Sequence, residues 1–212
     1  MNLKWNTNMN NSFYSVIKID ESFKKIFEQF GLPLNRTIEQ GFESLAKIII
    51  GQQISTNVAK SLSDKLKKDG MLTEKKMSEA SIEKLKLYGL SFQKSSYLKN
   101  LATLTIKNEI DFNSLNKLKS DEVTNLLIKI KGIGHWTINN YKILALQDTN
   151  AWPSADLALQ EALRQLKGLK TRPNEKEMEK IGNMWKPHRA AAALFLWHFY
   201  NKVKIEKADY KL

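Results

Sequence analysis

Two glycines one residue apart, Gly132 and Gly134, stand in the segment LLIKIKGIGHWTINNYKILAL. Glycines this close let a backbone turn sharply and approach a ligand with no Cβ in the way. The apolar spacing on both sides is helical, so the second helix opens at the turn with free N–H groups and a positive dipole end. That end can hold a phosphate oxygen. Lys129 and Lys131 add charge at the same place. The chemistry suits one backbone phosphate of a nucleic acid, gripped without reading sequence. An ordinary helical hairpin whose glycines only close the loop fits the same residues. A Walker A or Rossmann loop does not, because the Gly-Lys-Ser/Thr ending and the preceding strand are absent.

The second chemical candidate is Asp156, in QDTNAWPSADLALQEAL. An aspartate at a helix start is commonly an N-cap. It can also do more. The helix after the glycines is about 12 residues and thus about 18 Å long. The following loop, Gln147 to Ser154, reaches up to about 26 Å when extended. The next helix can therefore bring its N-terminus back towards the glycine turn. A carboxylate there could stabilise a positive sugar carbon or activate water.

The elements that must position these residues read as helices throughout. Phe23, Ile26, Phe27 and Phe30 predict a helix from about Asp20 to Gln29, stopped by Gly31 and Pro33. Phe42, Leu45, Ala46, Ile49 and Ile50 form a stripe closed by Gly51, and Val58, Leu62 and Leu66 a third after Ser55 and Thr56. Further helices are expected over Glu74–Ala80, Ile82–Leu87, Phe92–Lys107 and Asp121–Ile130, the last capped by Ser120 or Asp121. His135–Leu146, Ala155 or Asp156 to Leu166, and Glu175–Trp185 follow, and Pro187 suits the first turn of a helix running to about Tyr200. No alternating strand pattern or Asn-Gly hairpin signal is present. The fold class is all-α with roughly ten helices. The tails, about Met1–Asn11 and Ile205–Leu212, are expected to be loose.

The chain has 212 residues, with 34 Lys plus Arg against 22 Asp plus Glu, a formal charge of +12. That balance points to a polyanion, although solvated lysine faces alone can produce it. With no cysteine, disulfides, thiol nucleophiles, Cys-zinc sites and iron–sulfur clusters are excluded. The histidines, His135, His188 and His198, lack the HExxH spacing of a zinc hydrolase. No signal peptide or membrane span is legible, so a soluble intracellular protein is expected, cytoplasmic in a prokaryote.

KGIGHWT followed by Asp156, 22 residues after Gly134, resembles the helix–hairpin–helix, Gly/Pro-loop, Asp superfamily of DNA glycosylases, and within it the alkylpurine branch, DNA-3-methyladenine glycosylase II, in compact form. Four other stretches agree in order: FESLAKIIIGQQIS (Phe42–Ser55), GLSFQKSSYLKNLA (Gly89–Ala102), AWPSADLALQEAL (Ala151–Leu163) and WKPHRAAAALFLWHF (Trp185–Phe199). The resemblance implies a two-lobed helical bundle with the active cleft between lobes. Residues 52–150 would form the middle lobe, and 12–51 with 151–204 the other.

It also implies a monofunctional base-excision repair enzyme that flips damaged purines out of double-stranded DNA and hydrolyses the N-glycosidic bond. Flipping is least costly for a damaged, poorly paired base. Purines alkylated at N3 or N7 are cationic, leave readily, and are attracted to aromatic faces. Asp156 aligns with the catalytic aspartate. Trp136 and Trp197 align with base-pocket positions, where plain core packing is the competing role. Gln53 aligns with a wedge that fills the gap left by the flipped base, against a role as a helix-end cap. Lys131, Gly132, Ile133, Gly134 and His135 would meet the DNA backbone. Bifunctional relatives carry a lysine at the position of Trp136, so no strand-cutting lyase activity is expected. Arg189 would pair with a carboxylate between helices, and His188 and His198 would be structural. No cofactor and no side-chain metal site is expected, though relatives hold a monovalent cation on hairpin carbonyls.

Two departures bear on substrate. Asn140 and Leu157 stand where relatives often have aromatics, which makes the pocket less aromatic. The expected substrate is a 3-methyladenine- or 7-methylguanine-type lesion and the expected state a monomer. The alternatives are a glycosylase for other modified bases or a non-catalytic damage-binding module.

Overall fold

The computed structural model describes residues 4–209, and among these every regular element is a helix. α1 (Thr7–Ile19) and α2 (Glu21–Phe30) come first. Then follow α3 (Phe42–Gly51), α4 (Thr56–Lys68), α5 (Glu74–Glu79), α6 (Ile82–Leu87) and α7 (Phe92–Ile106). A 3-10 stretch at Phe112–Lys117 leads to α8 (Ser120–Leu127) and α9 (His135–Leu144). α10 (Leu157–Leu166), α11 (Glu175–Gly182), a 3-10 turn at Asn183–Trp185 and α12 (Arg189–Asp209) complete the order.

Short polar side chains start most of these helices by accepting an otherwise orphaned N–H. Ser81 accepts from the Lys84 N–H at 3.1 Å and Ser91 from Lys94 at 3.2 Å. Asn174 and Glu177 satisfy each other's backbone N–H groups in a capping box at α11. α8 departs from expectation. Its cap position is Lys119, one residue before Ser120, and the Glu122 carboxylate accepts the Lys119 N–H at 2.6 Å. α8 also stops at Leu127, because the chain turns there towards the glycines.

Residues 38–146 form one compact unit, and the residues up to 37 form a second with those from 147 onward. In the 38–146 unit α7 packs on α3, α5 and α6, and α3 packs on α4 and α9. Leu45, Ile49, Leu66, Leu98, Leu127 and Tyr141 are buried in its core. This moves the first boundary. The division expected near Gly51 falls at 37/38, because the apolar stripe of α3 faces α4, α7 and α9. The second falls at 146/147, a few residues before the expected Asn150.

The other unit is built around α12, which packs on α1, α2 and α10. Residues 190–193, all alanine, are fully buried, followed by buried Leu194, Phe195 and Leu196. A helix buried on all sides needs small residues wherever neighbouring backbones come close. Phe195 meets Phe13 edge-on at 5.7 Å, and Trp185 meets Phe23 at 5.1 Å and Trp152 at 5.5 Å. Asp20 caps α2 and is 7% exposed. It accepts from Lys167 at 2.8 Å and from the Trp185 indole at 3.1 Å. Burial alone would raise its pKa, but the bonds from Lys167, the Ser22 N–H and Trp185 outweigh it and hold the carboxyl below its ordinary value.

The tails are more ordered than expected. Met9, Phe13 and Val16 bury one face of α1, and Asn6 caps it, so residues 7–11 are helix. α12 runs to Asp209; only residues 1–3 and 210–212 of the expected loose tails lie outside the described residues. Pro187, expected in the first turn of α12, precedes its first residue, Arg189.

Candidate active site

In the 38–146 unit the turn between α8 and α9 is built around Gly132. Its φ is +87°, and a Cβ there would lie 2.1 Å from Cγ of Tyr97 on α7. The glycine therefore provides both a left-handed backbone and room for an aromatic ring. Gln52, just after α3, pins the turn from another side. Its amide donates to the Gly132 carbonyl at 3.0 Å and to the Thr137 hydroxyl at 2.9 Å. Gly134 is the N-cap residue of α9 with no side-chain cap, and nothing lies within 4 Å of where its Cβ would be. The first-turn N–H groups of α9 have no acceptor within their own helix, which is the geometry an anion needs.

His135 and Lys131 are exposed beside this turn. Ile133 differs from the expectation that it offers backbone donors. Its N–H already bonds the Ile130 carbonyl at 3.1 Å and its side chain lies in the core, 5% exposed. Trp136 is half-buried, and its carbonyl accepts from the Asn140 amide at 2.8 Å. Gln53 is exposed with φ of +58°, which projects it from the bend after α3 rather than capping a helix. The Lys94 ammonium closes the end of α3 on the Ile50 carbonyl at 2.7 Å, and burial lowers its pKa. Farther along α9, the Tyr141 oxygen accepts from the Gly41 N–H at 2.9 Å; burial pushes its phenol up to about 12.

In the other unit Asp156 is the N-cap of α10 and is 8% exposed. Its Oδ1 accepts from the Leu159 N–H at 2.9 Å and from the Trp197 indole N–H at 3.2 Å. The cap role and a carboxylate aligned by a tryptophan thus coexist in one side chain. The preceding loop is fixed at several points. The Trp152 indole donates to the Met178 carbonyl at 3.1 Å, and Gln160 donates to the Ser154 carbonyl at 3.0 Å. Gly182 leaves room for Trp152, since a Cβ there would come within 2.7 Å of its indole nitrogen. Arg189 donates to the Asn150 carbonyl at 3.0 Å and reaches Glu179 at 3.5 Å, so it holds the loop and also meets a carboxylate. His188 meets the Ser12 hydroxyl and His198 the Phe30 carbonyl.

Sequence reasoning missed Arg36. It stands in the irregular stretch between α2 and α3, with its Cζ 5.4 Å from the Trp197 ring centroid. The residue keeps solvent access, yet surrounding protein disfavours its charge and lowers its pKa, an effect the nearby Asp156 charge opposes. Nothing local in LPLNRT links this arginine to a carboxylate far along the chain. Gln52 and Tyr97 were likewise unassigned, although both lie within the stretches that carry the family resemblance.

Among the described residues no group of three or more His, Asp or Glu could hold a metal ion. The carbonyls of Ile130 and Gly132 each already accept one N–H. Their second lone pairs are what the turn can offer a monovalent cation.

A family model described as "HhH-GPD superfamily base excision DNA repair protein" matches residues 46–187. The chain is 30% identical over 162 residues to the alkylbase DNA glycosidase-like protein mag2 of Schizosaccharomyces pombe, covering 74% of this chain and 76% of that one. It is 28% identical over 187 residues to DNA-3-methyladenine glycosylase 1 of the same yeast, covering 84% and 82%. The solved structure of S. pombe 3-methyladenine DNA glycosylase (Mag1) in complex with abasic DNA superposes with a TM-score of 0.81. That match is at 26% identity and covers 88% of this chain and 95% of that one.

Proposed function

Because this chain belongs to the HhH-GPD superfamily of base excision DNA repair proteins, we propose that it is a monofunctional glycosylase that releases 3-methyladenine- and 7-methylguanine-type purines from duplex DNA. The observation that carries this reading is the nearly buried Asp156 carboxylate, bonded at once to the N-terminus of α10 and to the Trp197 indole. A protein that only grips DNA has no use for a fixed negative charge directed at a polyanion. A glycosylase does, since the sugar becomes cationic as the base departs.

The roles follow from the chemistry of each group. The first turn of α9, with Gly134, His135 and Lys131, takes a backbone phosphate without reading sequence. Gln53 fills the space the flipped base vacates. Trp136 and Trp197 supply flat apolar surface for the base. Asp156 stabilises the positive C1′ and orients the water that attacks it. An alkylated purine leaves as a neutral molecule and needs little help from an acid. Trp136 stands where bifunctional relatives have a lysine, so no amine at that position can form the Schiff base that leads to strand cleavage. The names of the yeast relatives support the alkylpurine class. The protein acts as a monomer, since one lesion offers no two-fold symmetry to match.

The test is base release from methylated duplex DNA by the native protein and by Asp156→Asn, with released bases resolved from strand nicks. The expected result is 3-methyladenine or 7-methylguanine without nicking, lost in Asp156→Asn. Intact DNA binding with no release by the native protein would sink the alkylpurine reading in favour of a damage-binding module. Nicking coupled to release would overturn the monofunctional part.

A further inference from the structure

One side chain joins the bend after α3 to the turn before α9. The Gln52 amide donates to the Gly132 carbonyl at 3.0 Å and to the Thr137 hydroxyl at 2.9 Å. Those two acceptors lie on either side of Gly134, the N-cap of α9. The next residue in the chain, Gln53, is exposed with φ of +58°. A left-handed backbone is unfavourable for a residue with a Cβ and persists only where its surroundings fix it. Three bonds do so here. The Gln52 N–H donates to the Ile49 carbonyl at 3.2 Å, and the Lys94 ammonium to the Ile50 carbonyl at 2.7 Å. These hold the end of α3. The third, from the Gln52 amide, ties the bend to the hairpin.

We propose that Gln52 is a positioning residue that fixes the wedge, Gln53, in register with the phosphate held by α9, so that gripping the backbone and filling the vacated space are one event. The inference rests on the roles given to Gln53 and to the first turn of α9 in the proposed function. Successive phosphates of one strand lie about 3.4 Å apart along the duplex axis. A wedge displaced by that much from the held phosphate meets the wrong base step. Gln52 removes this freedom, because its backbone carries Gln53 while its side chain holds the hairpin. Both N–H groups of its amide are taken up by the hairpin, so Gln52 acts through its neighbour. Without that tether the backbone of Gln53 can relax out of the left-handed region, and the wedge loses its aim.

The experiment compares the native protein, Gln52→Ala, Gln53→Ala and the double variant in two measurements. The first is the ratio of affinities for a duplex holding a tetrahydrofuran abasic-site analogue and for the same duplex intact. A general weakening of the DNA grip cancels in this ratio. Each single variant should lower it roughly three- to tenfold, the effect of one lost hydrogen bond. The second is single-turnover release of 7-methylguanine at saturating protein, which should slow by a similar factor. In both, the double variant should be no worse than Gln53→Ala alone. Thr137→Val, which removes one acceptor of the same amide and keeps the shape, should lower the affinity ratio in the same direction. Single losses that multiply in the double variant would overturn the proposal, because Gln52 would then serve the hairpin alone. An unchanged affinity ratio in Gln52→Ala would overturn it too. Failure of the alkylpurine reading looks different: the native protein would release no 7-methylguanine, while the affinity ratios, which need no catalysis, still decide on Gln52. A native protein with no preference for the abasic duplex would overturn the wedge and this proposal together.

Discussion

Replacing Gly132 by alanine isolates the demand that the hairpin places on its backbone. The substitution adds one methyl group at φ +87°. The left-handed backbone costs a residue with a Cβ about 1 kcal/mol. The methyl would also sit 2.1 Å from Tyr97 Cγ, against the roughly 3.5 Å at which carbon atoms rest, so the ring must retreat by about 1.4 Å. Tyr97 packs against the core of its unit, and over-packing of this kind costs about 1–3 kcal/mol. Together these give about 2–4 kcal/mol, or about 5–15 °C in Tm for a chain of this size. Thermal unfolding of Gly132→Ala, Tyr97→Ala and the double variant separates the two terms. Only the overlap disappears in the double variant, so its loss should fall short of the sum of the single losses by about 1–3 kcal/mol. A Gly132→Ala protein within about 0.5 kcal/mol of native, or additive losses, would refute the account.

Other expectations concern the second carboxylate and the pins around the site. Asp156→Asn keeps a good N-cap and should leave stability within about 0.5 kcal/mol, whereas Asp156→Ala should lose about 1 kcal/mol; equal losses in urea titration would show that the cap contributes nothing. Asp20→Asn should destabilise by about 2–3 kcal/mol at pH 7, below the range for a fully buried pair because Lys167 is 30% exposed. Asp20 has a depressed folded pKa, so its contribution is complete above the ordinary carboxylate value and is lost as pH falls through the folded one. The gap between native and Asp20→Asn should therefore close in acid, and a gap that widens there would reverse the sign. Gln52→Ala removes both side-chain bonds to the hairpin and should cost about 1–2 kcal/mol. Its amide exchange should quicken at residues 132–137; unaltered exchange would place the hairpin's rigidity elsewhere.

The helices were legible where period and punctuation agreed. Ser55, Ser81, Ser91 and Asp156 all cap the helices they precede. α1 was hidden because asparagines dilute its stripe of Met9, Phe13 and Val16, and only burial against α12 reveals it. Gly51 suggested a boundary because it ends a helix, yet the apolar face of that helix belongs with the residues that follow. The site divides in the same manner. Asp156 and the two hairpin glycines carried local signals of cap and turn. Arg36 carried none, since its partners, Trp197 and Asp156, are brought to it by tertiary structure alone. Ile133 shows the converse: it lies within the motif, but its N–H is consumed by the turn itself.

The unit built around α12 is assembled from both ends of the described chain, while residues 38–146 are continuous. During synthesis the continuous unit has all its own contacts as soon as it clears the ribosome. α1 and α2 must wait for α10 and α12, which at about 5–20 residues per second takes roughly ten to thirty seconds. Over that interval the apolar faces bearing Phe13, Phe23 and Ile26 lack their native cover. α1 and α2 are then the elements of this unit most exposed to chaperone capture or proteolysis. A slowed ribosome downstream of residue 146 would prolong that exposure without touching the hairpin.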